Sequence, residues 1–168
     1  MTSKVALFLA HALAMENEAA DRYDELADSM EVHNNREVAD LFRQMSNFSR
    51  LHGASVAERA AGHDLPKLKS WQYRWNTPEP PEVGTSGAAH YMMTAWHALD
   101  FALDNEKRGQ KYYADQAAGS DDAEVRALAA EMADEEAEHV TELEKWIART
   151  PKPDMDWADD PDEALVAD

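Results

Sequence analysis

Cysteine is absent from the 168 residues. That absence excludes disulfides, thiolate zinc sites, iron–sulfur clusters, rubredoxin-type iron centres and a cysteine nucleophile together. Any metal must therefore be held by imidazole and carboxylate. Basic residues are scarce: 16 Lys and Arg stand against 34 Asp and Glu, a formal charge of −18. Such a chain repels nucleic-acid phosphates and anionic membrane surfaces, so neither is an expected partner. Six Gly and seven Pro are too few for a low-complexity protein. No run reaches the roughly 18 apolar residues that a membrane span requires. The opening MTSKVALFLAHALAME imitates a secretion signal, with Lys4 before an apolar run and Ala12-Leu13-Ala14 as a small-residue site. His11 interrupts that run, however, and apolar periodicity continues to Met30, so the segment reads as a helix and the expected location is cytoplasmic.

What is present is helical periodicity. An apolar content of 44% over this length suits one domain, expected over residues 1–150, followed by an acidic tail at 151–168 with seven acids and one base. Residues 3–30 place Leu9, Leu13, Glu16, Ala20, Tyr23, Ala27 and Met30 at steps of three and four, one face of a helix. Residues 35–61 give Val38, Phe42, Met45, Ser49, His52 and Val56 in the same way. Residues 94–118 give Trp96, Leu99, Leu103, Glu106, Gln110, Tyr113 and Ala117, and residues 122–149 give Val125, Ala129, Met132, Glu136, His139, Leu143 and Trp146. Within MADEEAEHVTELEKW, phase thus separates Glu136 and His139 from Asp134, Glu135, Glu138, Glu142 and Glu144, which fall on flanking or outer faces. Asn34 with Glu37, and Asp121 with Glu124, have the spacing of capping boxes. Pro151 bars continuation of the last helix.

The two halves repeat. A shift of 90 sets Leu13 on Leu103, Glu16 on Glu106, Tyr23 on Tyr113 and Ala27 on Ala117; a shift of 87 sets Val38 on Val125, Met45 on Met132 and His52 on His139. Ser49 falls on Glu136 and breaks the match. A duplicated helical hairpin joined by a long connection, including SWQYRWNTPEPPEVGTSG, predicts an all-α four-helix bundle. Three inner glutamates demand compensation, since an unpartnered buried carboxylate costs several kcal/mol, and two divalent ions would supply it. Oxygen and imidazole donors without sulfur suit iron or manganese, and zinc is chemically possible.

At this point the chain resembles the rubrerythrin branch of the ferritin-like di-iron carboxylate superfamily. Glu16-x6-Tyr23 and Glu106-x6-Tyr113 look like that family's first and third helices, and Glu136-Ala-Glu-His139 like its fourth. Ser49-Arg-Leu-His52 occupies the place of the remaining Glu-x-x-His, and the likeness runs over about residues 5–149. The resemblance implies a di-iron oxidoreductase acting on peroxide or dioxygen, with Glu16 and His52 on one metal, Glu106 and His139 on the other, and Glu136 bridging. It implies that Tyr23 and Tyr113 orient ligand carboxylates, and that the protein is a homodimer or higher homo-oligomer. The cysteine-bound iron module of longer relatives is missing, so electrons would come from an external donor.

Ser49 sets the alternatives. Two divalent ions need four negative charges, whereas Glu16, Glu106 and Glu136 supply three. The expected site is one bridge short, which leaves room for a water, hydroxide or small carboxylate. A metal-binding or storage protein without turnover, and a metal-free structural bundle, are the competing readings. Met15, Met30, Met45, Met92, Met93 and Met132 read as core packing rather than a haem interface. His90 and His97 are reserve ligands, and Trp71, Tyr73 and Trp75 read as a cover over the bundle or a subunit interface.

Overall fold

The computed structural model describes residues 2–69 and 94–154. It contains four helices: α1 (Lys4–Val32), α2 (Arg36–Arg59), α3 (Ala95–Gly119) and α4 (Ala123–Arg149), with no strand among the described residues. α1 packs along α2 and α3 along α4, forming two hairpins that close into the expected ferritin-like four-helix bundle. Most of the connection between hairpins, including Trp71, Tyr73, Trp75, His90, Met92 and Met93, lies outside the described residues, as does the tail beyond Asp154 with Trp157. No helix among the described residues is long and apolar enough to cross a membrane.

Neither predicted capping box forms, and in both places the N-cap is one residue later, Asn35 for α2 and Asp122 for α4. Asn34 takes φ +60°, the left-handed conformation that Asn tolerates better than most side chains. It ends α1 instead of starting α2: Asn35 N–H donates to Met30 O at 2.8 Å and Asn34 N–H to Glu31 O at 3.0 Å, the paired bonds of a Schellman motif. At α4 the cap is Asp122, whose Oδ1 accepts from Glu124 N–H at 2.9 Å and Val125 N–H at 3.1 Å. Asp121 is released to pair with Lys4 at the start of α1, tying the hairpins at one end.

The stripes meet as expected, but the core is not continuous. One apolar cluster gathers Tyr23, Met30, Val38, Phe42, Leu99, Leu103 and Leu143. A second gathers Phe8, Leu9, Met15, Val56, Tyr113, Val125 and Met132. Burying each large side chain stabilises the bundle by about 1.5–3 kcal/mol. Four of the methionines, Met15, Met30, Met45 and Met132, are buried in these clusters, as core packing requires. Glu16, Ser49 and Glu136 are buried too, and in sequence each falls between positions of the two clusters. A polar layer therefore lies between two dry ones, with Tyr23 and Tyr113 contributed by opposite sides.

Candidate metal centre

All four helices deliver a polar side chain to that layer. The His52 Nδ1 atom lies 3.6 Å from Glu16 Oε2 and 3.5 Å from Glu136 Oε1. On the other side, His139 Nδ1 lies 3.7 Å from Glu106 Oε2 and 3.8 Å from Glu136 Oε2. Glu136 thus turns one oxygen to each imidazole, and each imidazole also faces a glutamate of its own. The two rings stack, with centroids 4.2 Å apart, an interplanar angle of 22° and Nε2 atoms 3.2 Å apart. Glu16, His52, Glu106, Glu136 and His139 are therefore brought together.

The electrostatics are those of carboxylates crowded in a poorly solvated space. Burial first, then the neighbouring Glu136, pushes Glu106 up to about 9. Burial likewise raises Glu16. Burial would also raise Glu136, but the attraction of His139 and His52 and the proton on Glu106 outweigh it and lower this carboxyl. Burial alone would lower His52; Glu136 and Glu16 overcome it and raise the imidazole to about 10. In the metal-free protein, the proton on Glu106 and the charge on His52 do the work of cations.

The residues fit a metal. His139 Nδ1 is buried without a hydrogen-bond partner among the described residues. Its neighbours at 3.7 and 3.8 Å are too distant to accept a hydrogen bond. Such separations are close to those of donor atoms sharing one ion through bonds of about 2.1 Å. His52, Glu136 and His139 can each offer an atom within 4.8 Å of the others.

The tyrosines divide. Tyr113 donates from its hydroxyl to Glu16 Oε1 at 3.3 Å, which leaves Oε2 turned to His52. Tyr23 instead accepts from Asn105 Nδ2 at 3.2 Å. The reserve ligand His97 is buried at the start of α3, where its Nδ1 accepts from Thr94 N–H at 3.2 Å; it caps the helix. Ser49, one turn before His52, is 5% exposed, so the missing carboxylate is missing from a buried position.

Four further residues belong to this environment. A Cβ at Gly109 would stand 3.7–3.9 Å from the Glu136 carboxylate atoms, so α3 passes close beside that group. Arg59 reaches from α2 to α4 and pairs with Glu135 at 2.7 Å. Phe48 stacks on His139, centroids 6.1 Å apart, at the most exposed edge of the site. Asn105 holds Tyr23. Under the repeat all four fall on a different residue, Asn105 on Met15, Gly109 on Ala19, Phe48 on Glu135 and Arg59 on Trp146, so mismatch alone does not single them out.

Comparison with known proteins agrees with this geometry. The rubrerythrin family model matches residues 8–80. The crystal structure of an uncharacterized conserved protein from Magnetospirillum magnetotacticum MS-1 is 55% identical in sequence, with a TM-score of 0.72 over 92% of this chain and 100% of that one. No curated protein matches. A duplicated hairpin, glutamates and histidines converging from four helices and these two similarities have one common explanation: the chain belongs to the rubrerythrin-like branch of the ferritin-like superfamily.

Proposed function

We propose that the chain is a di-iron oxidoreductase of rubrerythrin type that reduces peroxide or dioxygen with electrons from an external donor. The observation that carries this reading is the division of Glu136 between two imidazoles, each with its own glutamate, beside a buried and unpartnered His139 Nδ1. Glu16 and His52 would hold one ion, Glu106 and His139 the other, and Glu136 would span them. Iron bound there supplies the electrons that reduce the oxidant.

The remaining work falls to the chain. Tyr113 fixes the Glu16 carboxylate so that its free oxygen faces His52, and a ligand held by a hydrogen-bonded neighbour keeps its geometry. The apolar clusters on either side keep bulk water from the layer. A small oxidant has its most open approach at the His139 side chain, 29% exposed against 7% for Glu136. Manganese or zinc would suit the same donors, and iron is preferred on family grounds.

Buried Ser49 favours a second reading, metal binding without turnover, because the donor set holds one carboxylate fewer than two divalent ions need. Stopped-flow mixing of the anaerobically iron-loaded protein with hydrogen peroxide distinguishes the two. Oxidation well above the rate of free ferrous iron is expected; oxidation no faster than free iron, with iron bound, would leave the storage reading.

A further inference from the structure

The internal repeat makes the two tyrosines equivalent in sequence, yet their hydroxyls are wired in opposite senses. Tyr113 is a donor, giving its hydrogen to Glu16. Tyr23 is an acceptor, receiving the amide hydrogen of Asn105, which reaches it from α3 across the bundle interior. The amide is itself held, because Arg108 donates to Asn105 Oδ1 and so fixes which end of the amide faces Tyr23. The position that matches Asn105 in the other half is Met15, which has no N–H to give and is buried in the apolar cluster that contains Tyr113. Of the two, Tyr23 alone has a donor aimed at its oxygen among the described residues.

A phenol has one hydrogen to give and lone pairs to accept with. Once Asn105 occupies a lone pair, the Tyr23 hydrogen must be directed elsewhere. Tyr23 is 1% exposed, so water does not receive it. Phe42 stacks on the ring, centroids 6.1 Å apart, and limits its swing. The repeat that sets Tyr23 on Tyr113 and Glu16 on Glu106 makes Glu106 the counterpart of the carboxylate that Tyr113 holds, and Glu136 faces the same imidazole as Glu106. Accepting a hydrogen bond also makes the hydroxyl a better donor, since bonds in a chain polarise one another.

We infer that Asn105, set by Arg108, is a positioning residue that turns the Tyr23 hydroxyl hydrogen toward the Glu106–Glu136 carboxylates and so tunes the Glu106–His139 metal position separately from the Glu16–His52 position. This role rests on the di-metal reading above. It makes the two positions unequal in a way the repeat alone would not, and it adds to the inequality that Ser49 introduces.

The test uses Mn(II), followed by the electron paramagnetic resonance signal of the free ion, with the full chain. Asn105→Leu and Asn105→Asp both remove the donor. In a His52→Ala background, where the Glu106–His139 position keeps its imidazole, each should weaken Mn(II) binding about tenfold or more, the usual effect of losing a group that orients a ligand. In a His139→Ala background the same changes should alter binding by less than about twofold. Tyr23→Phe should reproduce the pattern, and adding Asn105→Leu to it should weaken binding no further. Equal weakening in both backgrounds, or additive effects of the two changes, would overturn the role, since general damage to the fold produces those results. Thermal unfolding of the metal-free single and double variants gives an arm independent of metal: non-additive losses are expected, and additive losses would overturn the hydrogen bond itself. Absence of Mn(II) binding by the unsubstituted protein would overturn the di-metal reading and this role together, whereas binding with the wrong pattern would overturn this role alone.

Discussion

Ser49→Glu restores the carboxylate that the repeat lacks, and its cost to stability should be smaller in the metal-loaded than in the metal-free protein. Ser49 is 5% exposed, so the larger side chain enters a packed interior, which costs about 1–3 kcal/mol. The new carboxyl joins three others in a layer where burial already raises Glu16 and Glu106. It should therefore enter protonated. Holding a carboxyl with an ordinary value of about 4.3 neutral at pH 7 costs about 4 kcal/mol at about 1.4 kcal/mol per pH unit, and about 1 kcal/mol at pH 5. The loss of stability relative to the unsubstituted protein should thus be about 3 kcal/mol greater at pH 7 than at pH 5. For a chain of this size, that is a difference of about 6–12 °C in Tm shift. Saturating divalent metal should then raise Tm more in the variant than in the parent, because the fourth carboxylate completes the charge balance of two ions. Differential scanning calorimetry in chelator and in excess Mn(II), at both pH values, reads all four quantities. Equal metal-induced rises in the two proteins would mean that position 49 does not face the ions, and the charge argument would fail.

Other perturbations probe other parts of the site. Gly109→Ala should raise the Tm of the metal-free protein by about 2–4 °C, since removing a helix-interior glycine gains about 0.8–1.0 kcal/mol and the added methyl meets the Glu136 carboxylate at ordinary contact distance; a fall in Tm would show that the carboxylate packs closer than described. His139→Ala should reduce metal affinity by far more than His33→Ala, whose ring sits at the end of α1 with Nδ1 on Ser29 O, and isothermal titration with Mn(II) would expose the opposite order. The metal-free fold should lose stability from pH 6 to pH 10. His52, raised to about 10, contributes stability fully below its unfolded value near 6.5 and loses it as pH climbs through 10. Glu106, raised to about 9, holds in the fold a proton that the unfolded chain releases, so its contribution also declines between about 4.5 and 9. Urea midpoints in chelator should fall over that range, and Glu106→Gln should flatten the part up to pH 9; an unchanged slope would mean that Glu106 is not the buried acid.

Helical phase was enough to separate Glu136 from Glu135 and Glu138, because residues one or two apart point about 100° or 200° away on a helix. It was also enough to place Glu16, His52, Glu106 and His139 on inner faces, since each interrupts an otherwise apolar stripe. The axial level at which those stripes meet was set by the repeat, which gives both hairpins the same distances from turn to ligand. Phase says nothing about a single turn residue: Asn34 has the spacing of a cap for α2, yet its left-handed φ makes it the end of α1. Asp121 and Asp122 are chemically the same cap, and only the pairing of Asp121 with Lys4, far away in sequence, decides between them. The division of Glu136 between two imidazoles, the stacking of His52 on His139 and the reach of Asn105 to Tyr23 depend on rotamers across helix contacts, which no spacing along one chain encodes. Their sequence trace is indirect: Met15 against Asn105, Phe48 against Glu135 and Ser49 against Glu136 are among the positions where the halves differ, and each lies at a place where the two sides of the site are unlike.

Anomalous scattering at the iron edge, from crystals grown and loaded with ferrous iron without oxygen, tests the central claim most directly. Two peaks are predicted, one between Glu16 and His52 and one between Glu106 and His139, with a Glu136 oxygen against each. No peak in this layer, or iron bound only by outer carboxylates, would contradict the account.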